Sequence, residues 1–316
     1  MAHGAHPGQH RRQPPRCRGR RARGIPARVS GGPFAGAVAL RATSADAFVG
    51  RTQPVPWPKA YGGDLLAQAV AAATRTVAED RALNAAHTLF VSPATVGGSV
   101  DLSVATLRDG RSYSTRQVTA REGERIVAVT LASYHVGEES ALAAATPMPA
   151  APAPDDVPGA AAALAGERGP AAEYWSSGRG FELRHVEGAP YVRPVPGGGE
   201  RMRVWIRADA AIPAGQPAHR AALAYVCDYA MLEPALSATG LHWTRPGLVT
   251  ASTDHALWIH ADVRADEWML CTLDLVHLGS GRATVRAEFH AADGTHVASA
   301  VQQGVIRLNP TTEERS

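Results

Sequence analysis

Three side chains in the C-terminal half, Asp228, Thr253 and Gln302, are of the types that can hold and deprotonate a water molecule. A carboxylate accepts the proton, while a hydroxyl and an amide fix the water's orientation. Ala221, Ala224, Tyr225 and Asp228 fall at i, i+3, i+4 and i+7, which puts Asp228 on the apolar stripe of a helix expected over 219–230. A carboxylate there is costly to desolvate unless it is hydrogen-bonded or does chemistry. The blander alternative is a helix turned far enough for the carboxylate to reach water. Thr253 opens a strand, where threonine is ordinary on β-propensity alone. Gln302 sits in an alternating run, Val297 to Gly304, as an amide that needs partners if buried.

What lifts the trio above these plain readings is an internal repeat. His87-Thr88-Leu89-Phe90 matches His255-Ala256-Leu257-Trp258 at a shift of 168 residues. Gly110-Arg111 matches Gly281-Arg282, and Gly123 matches Gly294, both at a shift of 171. The chain therefore reads as a duplicated domain. At these shifts Thr253 aligns with Ala85 and Gln302 with Leu131, so the first copy folds without either polar group. His255 falls on the shared scaffold and is assigned to packing.

The elements that must position the trio follow from periodicity. Gly62-Gly63-Asp64 opens an apolar helical stripe through Leu65, Leu66, Ala69, Val70 and Ala73. Strand-like runs follow at 87–91, 99–107, 112–121 and 125–135, joined by glycine turns. The second half repeats this order. One helix and then a run of strands, twice, gives an α+β architecture with antiparallel sheet packed on helices. Residues 1–44 are expected to be a disordered arginine-rich tail, 45–136 the first domain, 137–177 an alanine- and proline-rich linker, and 178–310 the second domain carrying the trio.

Composition removes whole classes of function. Nine of the 32 basic residues, and no acid, lie in 1–44; the remaining 23 basic residues face 29 acidic ones, a body near −6 that repels nucleic acid. No apolar run approaches the ~20 residues that cross a bilayer, so no membrane insertion is expected. Cys17, Cys227 and Cys271 are too scattered for a disulfide framework or a zinc site, and Cys227 reads as a buried filler. His255 and His260 lack the glutamate of a zincin motif, Gly197-Gly198-Gly199 lacks the lysine of a P-loop, and no Gly-x-Ser-x-Gly elbow is present. Neither metal nor cofactor is expected, and the cytoplasm is the default location.

Four motifs in order carry a resemblance: Tyr61-Gly62-Gly63-Asp64-Leu65-Leu66-Ala67-Gln68-Ala69, Leu107-Arg108-Asp109-Gly110-Arg111-Ser112-Tyr113-Ser114, Thr253-Asp254-His255-Ala256-Leu257-Trp258-Ile259-His260 and Val301-Gln302-Gln303-Gly304-Val305. Together, over about 46–136 and 178–308, the chain resembles the acyl-CoA thioesterase II family. The resemblance implies a double hotdog fold and hydrolysis of fatty acyl-CoA to free acid and CoA. It implies an Asp, a Thr or Ser, and a Gln around the attacking water, which fall on Asp228, Thr253 and Gln302. Gly63 and His87 are the expected contacts to the acyl-CoA substrate, with the Gly62-Gly63 helix entry as an oxyanion donor. A homo-oligomer, dimer or tetramer, is the expected assembly. Two positions depart from the family's pattern: Asp64 stands where glutamine is usual, and Leu89-Phe90 where a second histidine is usual. Two other readings stay open. A hotdog hydratase needs an aspartate and a histidine a few residues apart, whereas the next histidine after Asp228 is His242. An acyl-CoA-binding module without turnover would need no trio.

Overall fold

The computed structural model of the chain describes, besides Met1, residues 32–138 and 140–309. The arginine-rich stretch up to residue 31 lies outside the described residues. The remainder of the expected tail is ordered, which corrects the boundary at 44. Gly32–Ala37 forms a helix, α1, with Phe34 and Ala37 buried, and Phe34 sits edge-on to Phe181 and Tyr225. Phe34, Ala37 and Leu40 all join the main core, and their burial anchors the segment.

After the two-residue strand β1 (Arg41–Ala42), the first copy runs β2 (Ala47–Arg51), α2 (Gly62–Thr74), β3 (Arg81–Phe90), β4 (Ser99–Asp109), β5 (Tyr113–Glu122) and β6 (Arg125–Val136). The connecting segment carries the short helices α3 (Ala160–Ala163) and α4 (Pro170–Glu173). It is docked rather than free: Val157 packs with Trp205 and Leu270, and Leu164 and Trp175 with Tyr191. The second copy runs β7 (Phe181–His185), β8 (Arg201–Ala208), α5 (Gln216–Val226), α6 (Glu233–Thr239), β9 (Leu248–Ile259), β10 (Met269–Gly279), β11 (Arg282–Ala291) and β12 (His296–Leu308).

All of these strands pair antiparallel in one sheet of order β1-β2-β4-β5-β6-β3-β9-β12-β11-β10-β8-β7. The helices α2 and α5 pack against each other on one face of it. This is the α+β layering read from the periodicities, and the double hotdog that the resemblance implies. Helix α2 is buried along nearly its whole length because it lies between the sheet and α5. Side chains such as Leu65 and Leu66 contribute about 1.5–3 kcal/mol each by leaving water.

The copies meet at β3 and β9, and the register there defines their relationship. Ala85 pairs with Trp258 and Leu89 with Asp254; Ala86 pairs with Leu257 and Thr88 with His255. A shift of 169 residues carries each pair onto the other, and His87 opposite Ala256 lies on the pseudo-two-fold axis. Within each copy Ala86 pairs with Ala132 and its counterpart His255 with Gln302, so the shift is 170 on β6 and β12. The shifts of 168 and 171 read from matching letters are thus each one residue out. In a strand that error exchanges the two faces. The true counterparts of Thr253 and Gln302 are Asn84 and Ala132, not Ala85 and Leu131.

Candidate active site

Helix α5 ends at Val226 with Cys227 as its C-cap, so Asp228 lies in the turn beyond it and not on the helical stripe expected over 219–230. A carboxylate in the last helical turn would face the negative end of the dipole. Released from α5, Asp228 reaches the positive end of α2 instead. The N-cap residue of α2, Tyr61, makes no side-chain cap, which leaves N–H groups to be satisfied from elsewhere. The Gly63 N–H donates to the Asp228 carboxylate, so the second copy caps the helix of the first.

The approach needs glycine. A Cβ on Gly63 would lie 2.1 Å from the carbonyl oxygen of Tyr225, and one on Gly62 would lie 2.6 Å from Asp228 Oδ2. The Tyr61 hydroxyl locks the same crossing by donating to the Tyr225 carbonyl at 2.6 Å.

Asp228 is only partly exposed, and burial raises its carboxyl to about 6. Hydrogen bonds from Ser252, Gln302 and the Gly63 N–H oppose that rise, as does the charge of Lys59. Lys59, the only lysine of the chain, comes from the first copy and donates to the Thr250 carbonyl oxygen. Desolvation lowers its own pKa, with Asp228 acting the other way.

The hydroxyl that meets Asp228 belongs to Ser252, whose Oγ donates to Asp228 Oδ1 at 2.9 Å. Gln302 is 1 % exposed, and its Nε2 donates to Ser252 Oγ at 3.0 Å. Thr253, the expected member of the trio, is not in this chain of bonds. Its hydroxyl donates to the Gln303 carbonyl at 2.9 Å and lies 3.3 Å from Asp254 Oδ2. The cause is a β-bulge: Gln303 pairs with Asp254 and Gly304 with Ser252, so Thr253 is the unpaired extra residue. The structure therefore joins Asp228 and Gln302 through Ser252. Both candidates carry hydroxyls, and only the bulge decides between them.

Of the expected substrate contacts, Gly63 is at the site, but with its N–H committed to Asp228. His87 is not. It is exposed on the opposite face of the sheet, edge-on to Trp258 with ring centroids 5.1 Å apart. Phe90 is the β3 residue that does reach the site; its Cζ would lie 3.1 Å from a Cβ on Gly62. His242 is hydrogen-bonded to Thr244 and not to Asp228. Among the described residues, no cluster of three or more His, Cys, Asp or Glu side chains could hold a metal ion.

The pseudo-two-fold axis generates a second joint, where the start of α5 meets the end of α2. There Leu83 stands for Ser252, Ala132 for Gln302 and Ala86 for His255. Two residues past α2 comes Thr76, where two past α5 comes Asp228. A cavity of about 100 Å³ opens at this twin joint, lined by Thr74, Glu79, Asp80, Leu83, Pro217 and Arg220 among others, and none of Asp228, Ser252 and Gln302 reaches it.

Comparison with known proteins follows the same layout. A model of the acyl-CoA thioesterase N-terminal domain matches residues 53–135, and one of the acyl-CoA thioesterase C-terminal domain matches residues 147–306. The chain is 28% identical over 293 residues to acyl-coenzyme A thioesterase 8 of Homo sapiens, covering 85% of this chain and 87% of that protein. It is 26% identical over 270 residues to acyl-CoA thioesterase 2 of Haemophilus influenzae, covering 83% and 92%. Among solved structures it resembles the tesB protein of Mycobacterium avium subspecies paratuberculosis, with TM-score 0.73, 26% identity and coverage of 88% and 100%. It also shares the fold of a hot dog protein of unknown function from Alicyclobacillus acidocaldarius, with TM-score 0.71, 20% identity and coverage of 88% and 98%. The two domain models together span most of the chain, and the chain belongs to the acyl-CoA thioesterase family.

Proposed function

We propose that this acyl-CoA thioester hydrolase acts on fatty acyl-CoA with Asp228 as general base, on a water held by Ser252 and Gln302. The water oxygen attacks the thioester carbonyl carbon as its proton passes to Asp228. The negative charge that develops on the carbonyl oxygen is stabilised by the positive end of the α2 dipole, at the helix entry whose Gly63 N–H already faces Asp228. The tetrahedral intermediate then expels the CoA thiolate, which takes the proton back from Asp228. The products are the free acid and CoA. The observation that supports this most is the continuous bonding from Gln302 through Ser252 to a carboxylate held at about pKa 6. Such a group is ionised at neutral pH yet basic enough to accept a proton. Asp228→Asn, assayed by thiol release over a series of acyl lengths, is expected to lower kcat about 10²- to 10⁴-fold in a folded protein; near-normal hydrolysis overturns the assignment.

The same reading extends to assembly and place. Leu89 and Trp258, related by the 169-residue shift, are both exposed beside His87 on the outer sheet face, with Leu131 nearby. We assign this face to a homo-oligomer, a dimer or tetramer. A monomer in sedimentation at micromolar concentration overturns that. No helix among the described residues is long and apolar enough to cross a membrane. Cys227 and Cys271 are free thiols, which supports a reducing compartment such as the cytoplasm.

A further inference from the structure

Behind the three groups that hold the water lies a buried histidine that the reaction itself does not use. His255 is 1 % exposed. Its Nδ1 lies 2.6 Å from Gln302 Oε1, and its Nε2 lies 3.0 Å from Cys227 Sγ. The Cys227 thiol is also buried and has a second acceptor, the Ala224 carbonyl oxygen at 3.2 Å. Five residues thus form one closed path, because Cys227 and Asp228 are neighbours in the chain.

We propose that His255 is a positioning residue: its Nδ1–H tautomer sets the direction of every hydrogen bond from Gln302 to Asp228.

A path of this kind can run in two senses. In one, His255 Nδ1–H donates to Gln302 Oε1, Gln302 Nε2–H donates to Ser252 Oγ, and the Ser252 hydroxyl donates to Asp228 Oδ1. In the other, the Gln302 amide is turned over. Ser252 then donates to Gln302 Oε1, Gln302 donates to a bare Nδ1, and His255 Nε2–H points at the Cys227 sulfur. Only the first sense leaves the Ser252 proton on the Asp228 carboxylate. The amide oxygen of Gln302 can only accept, so a bare Nδ1 at 2.6 Å from it is repulsive and the tautomer and the amide must switch together. Burial lowers the His255 pKa to about 4, so the ring is neutral near pH 7 and carries a single N–H. With that proton on Nδ1, the bare Nε2 accepts from the Cys227 thiol, which burial keeps protonated. Each donor then has an acceptor, and the path ends on the carboxylate.

This inference rests on the reading of Asp228 as the base, and its test is separable from that reading. In protein labelled with ¹⁵N-histidine, the His255 signals, identified by their loss in His255→Asn, are expected to be those of a neutral ring protonated on Nδ1. His255→Leu is expected to lower kcat about 10- to 100-fold with KM within about twofold, since a buried amide loses its partner. His255→Asn, whose side-chain N–H stands near the position of Nδ1–H, recovers most of that loss. His255→Gln, whose N–H stands nearer to Nε2, does not. A wild-type ring protonated on Nε2, or an asparagine variant no faster than the glutamine one, overturns the proposal. Should the leucine variant fail to fold, the wild-type tautomer and the asparagine–glutamine comparison decide. Normal hydrolysis by Asp228→Asn would remove the base without changing the tautomer.

Discussion

Asp228 Oδ2 and Gly62 approach so closely that a single methyl group on the glycine would lie 2.6 Å from the carboxylate oxygen. The two residues belong to different copies of the repeat, so their contact is what makes one site from two domains. Gly62→Ala should displace the carboxylate or the first turn of α2 and lower kcat at least tenfold. The thiol-release assay checks this, with circular dichroism as a control for folding. Wild-type kcat in the alanine variant would show that the joint is looser than its geometry.

The exchange of Thr253 for Ser252 makes a direct prediction. Ser252→Ala removes the bridge between Gln302 and Asp228 and takes one hydrogen bond from each, at a cost of about 1–3 kcal/mol in transition-state stabilisation. Ser252→Thr keeps the hydroxyl and should retain most activity. Thr253→Val loses only bonds to the Gln303 carbonyl and Asp254 and should stay within about threefold of wild type. Equal losses in Ser252→Ala and Thr253→Val would return Thr253 to the site.

Activity should carry the titration of the base. Asp228 must be ionised to accept a proton, so kcat/KM rises with pH through about 6 and levels off above it. Lys59 contributes the charge that opposes the rise in this carboxyl's pKa. Lys59→Met should therefore move the acid limb to higher pH, read from the pH profile of kcat/KM. A profile unmoved by the substitution would show that solvent screens the pair.

Asp64 makes a prediction about stability. It is fully buried, its Oδ2 accepts the Gln53 N–H at 2.7 Å, its Oδ1 has no partner, and burial raises it to about 7. A carboxyl raised in the folded state binds its proton more tightly there than in the unfolded chain. Its stabilising effect is therefore full at low pH and is lost as pH rises from about 4 to 7. Asp64→Asn removes that loss, so the variant should gain on the order of 2–4 kcal/mol relative to wild type between pH 5 and pH 8. Denaturant unfolding at the two pH values measures it; a difference that does not change with pH counts against the buried, raised carboxyl.

The sequence made the helices and strands around the site legible because their apolar periodicities are strong. It also made Asp228 and Gln302 legible, since polar residues among apolar neighbours need a reason. It did not locate them correctly against the first copy. Matching His87 with His255 is matching letters; the ladder pairs His87 with Ala256 across the axis, and the equivalent of His255 is Ala86. One residue of error placed Leu131, which is 47 % exposed, opposite Gln302, which is 1 % exposed. The bulge at Thr253 is set by how two strands pair and not by the local sequence, so Ser252 was hidden by its neighbour. The end of α5 before Asp228 was hidden because Ala224, Tyr225, Val226 and Cys227 continue a helical pattern past the last helical residue.

The axis through His87 and Ala256 has a consequence for how such a chain can change. Two identical subunits around this axis would own two equal joints, and any substitution would strike both. Fusion removed that bond between the joints. Leu83, Ala86 and Ala132 can sit at one of them while Ser252, His255 and Gln302 sit at the other. The first copy is not thereby free to drift, since Gly62, Gly63 and Lys59 still serve its sister's carboxylate. Each half is held to a different trade, and neither half alone possesses the whole of the proposed site.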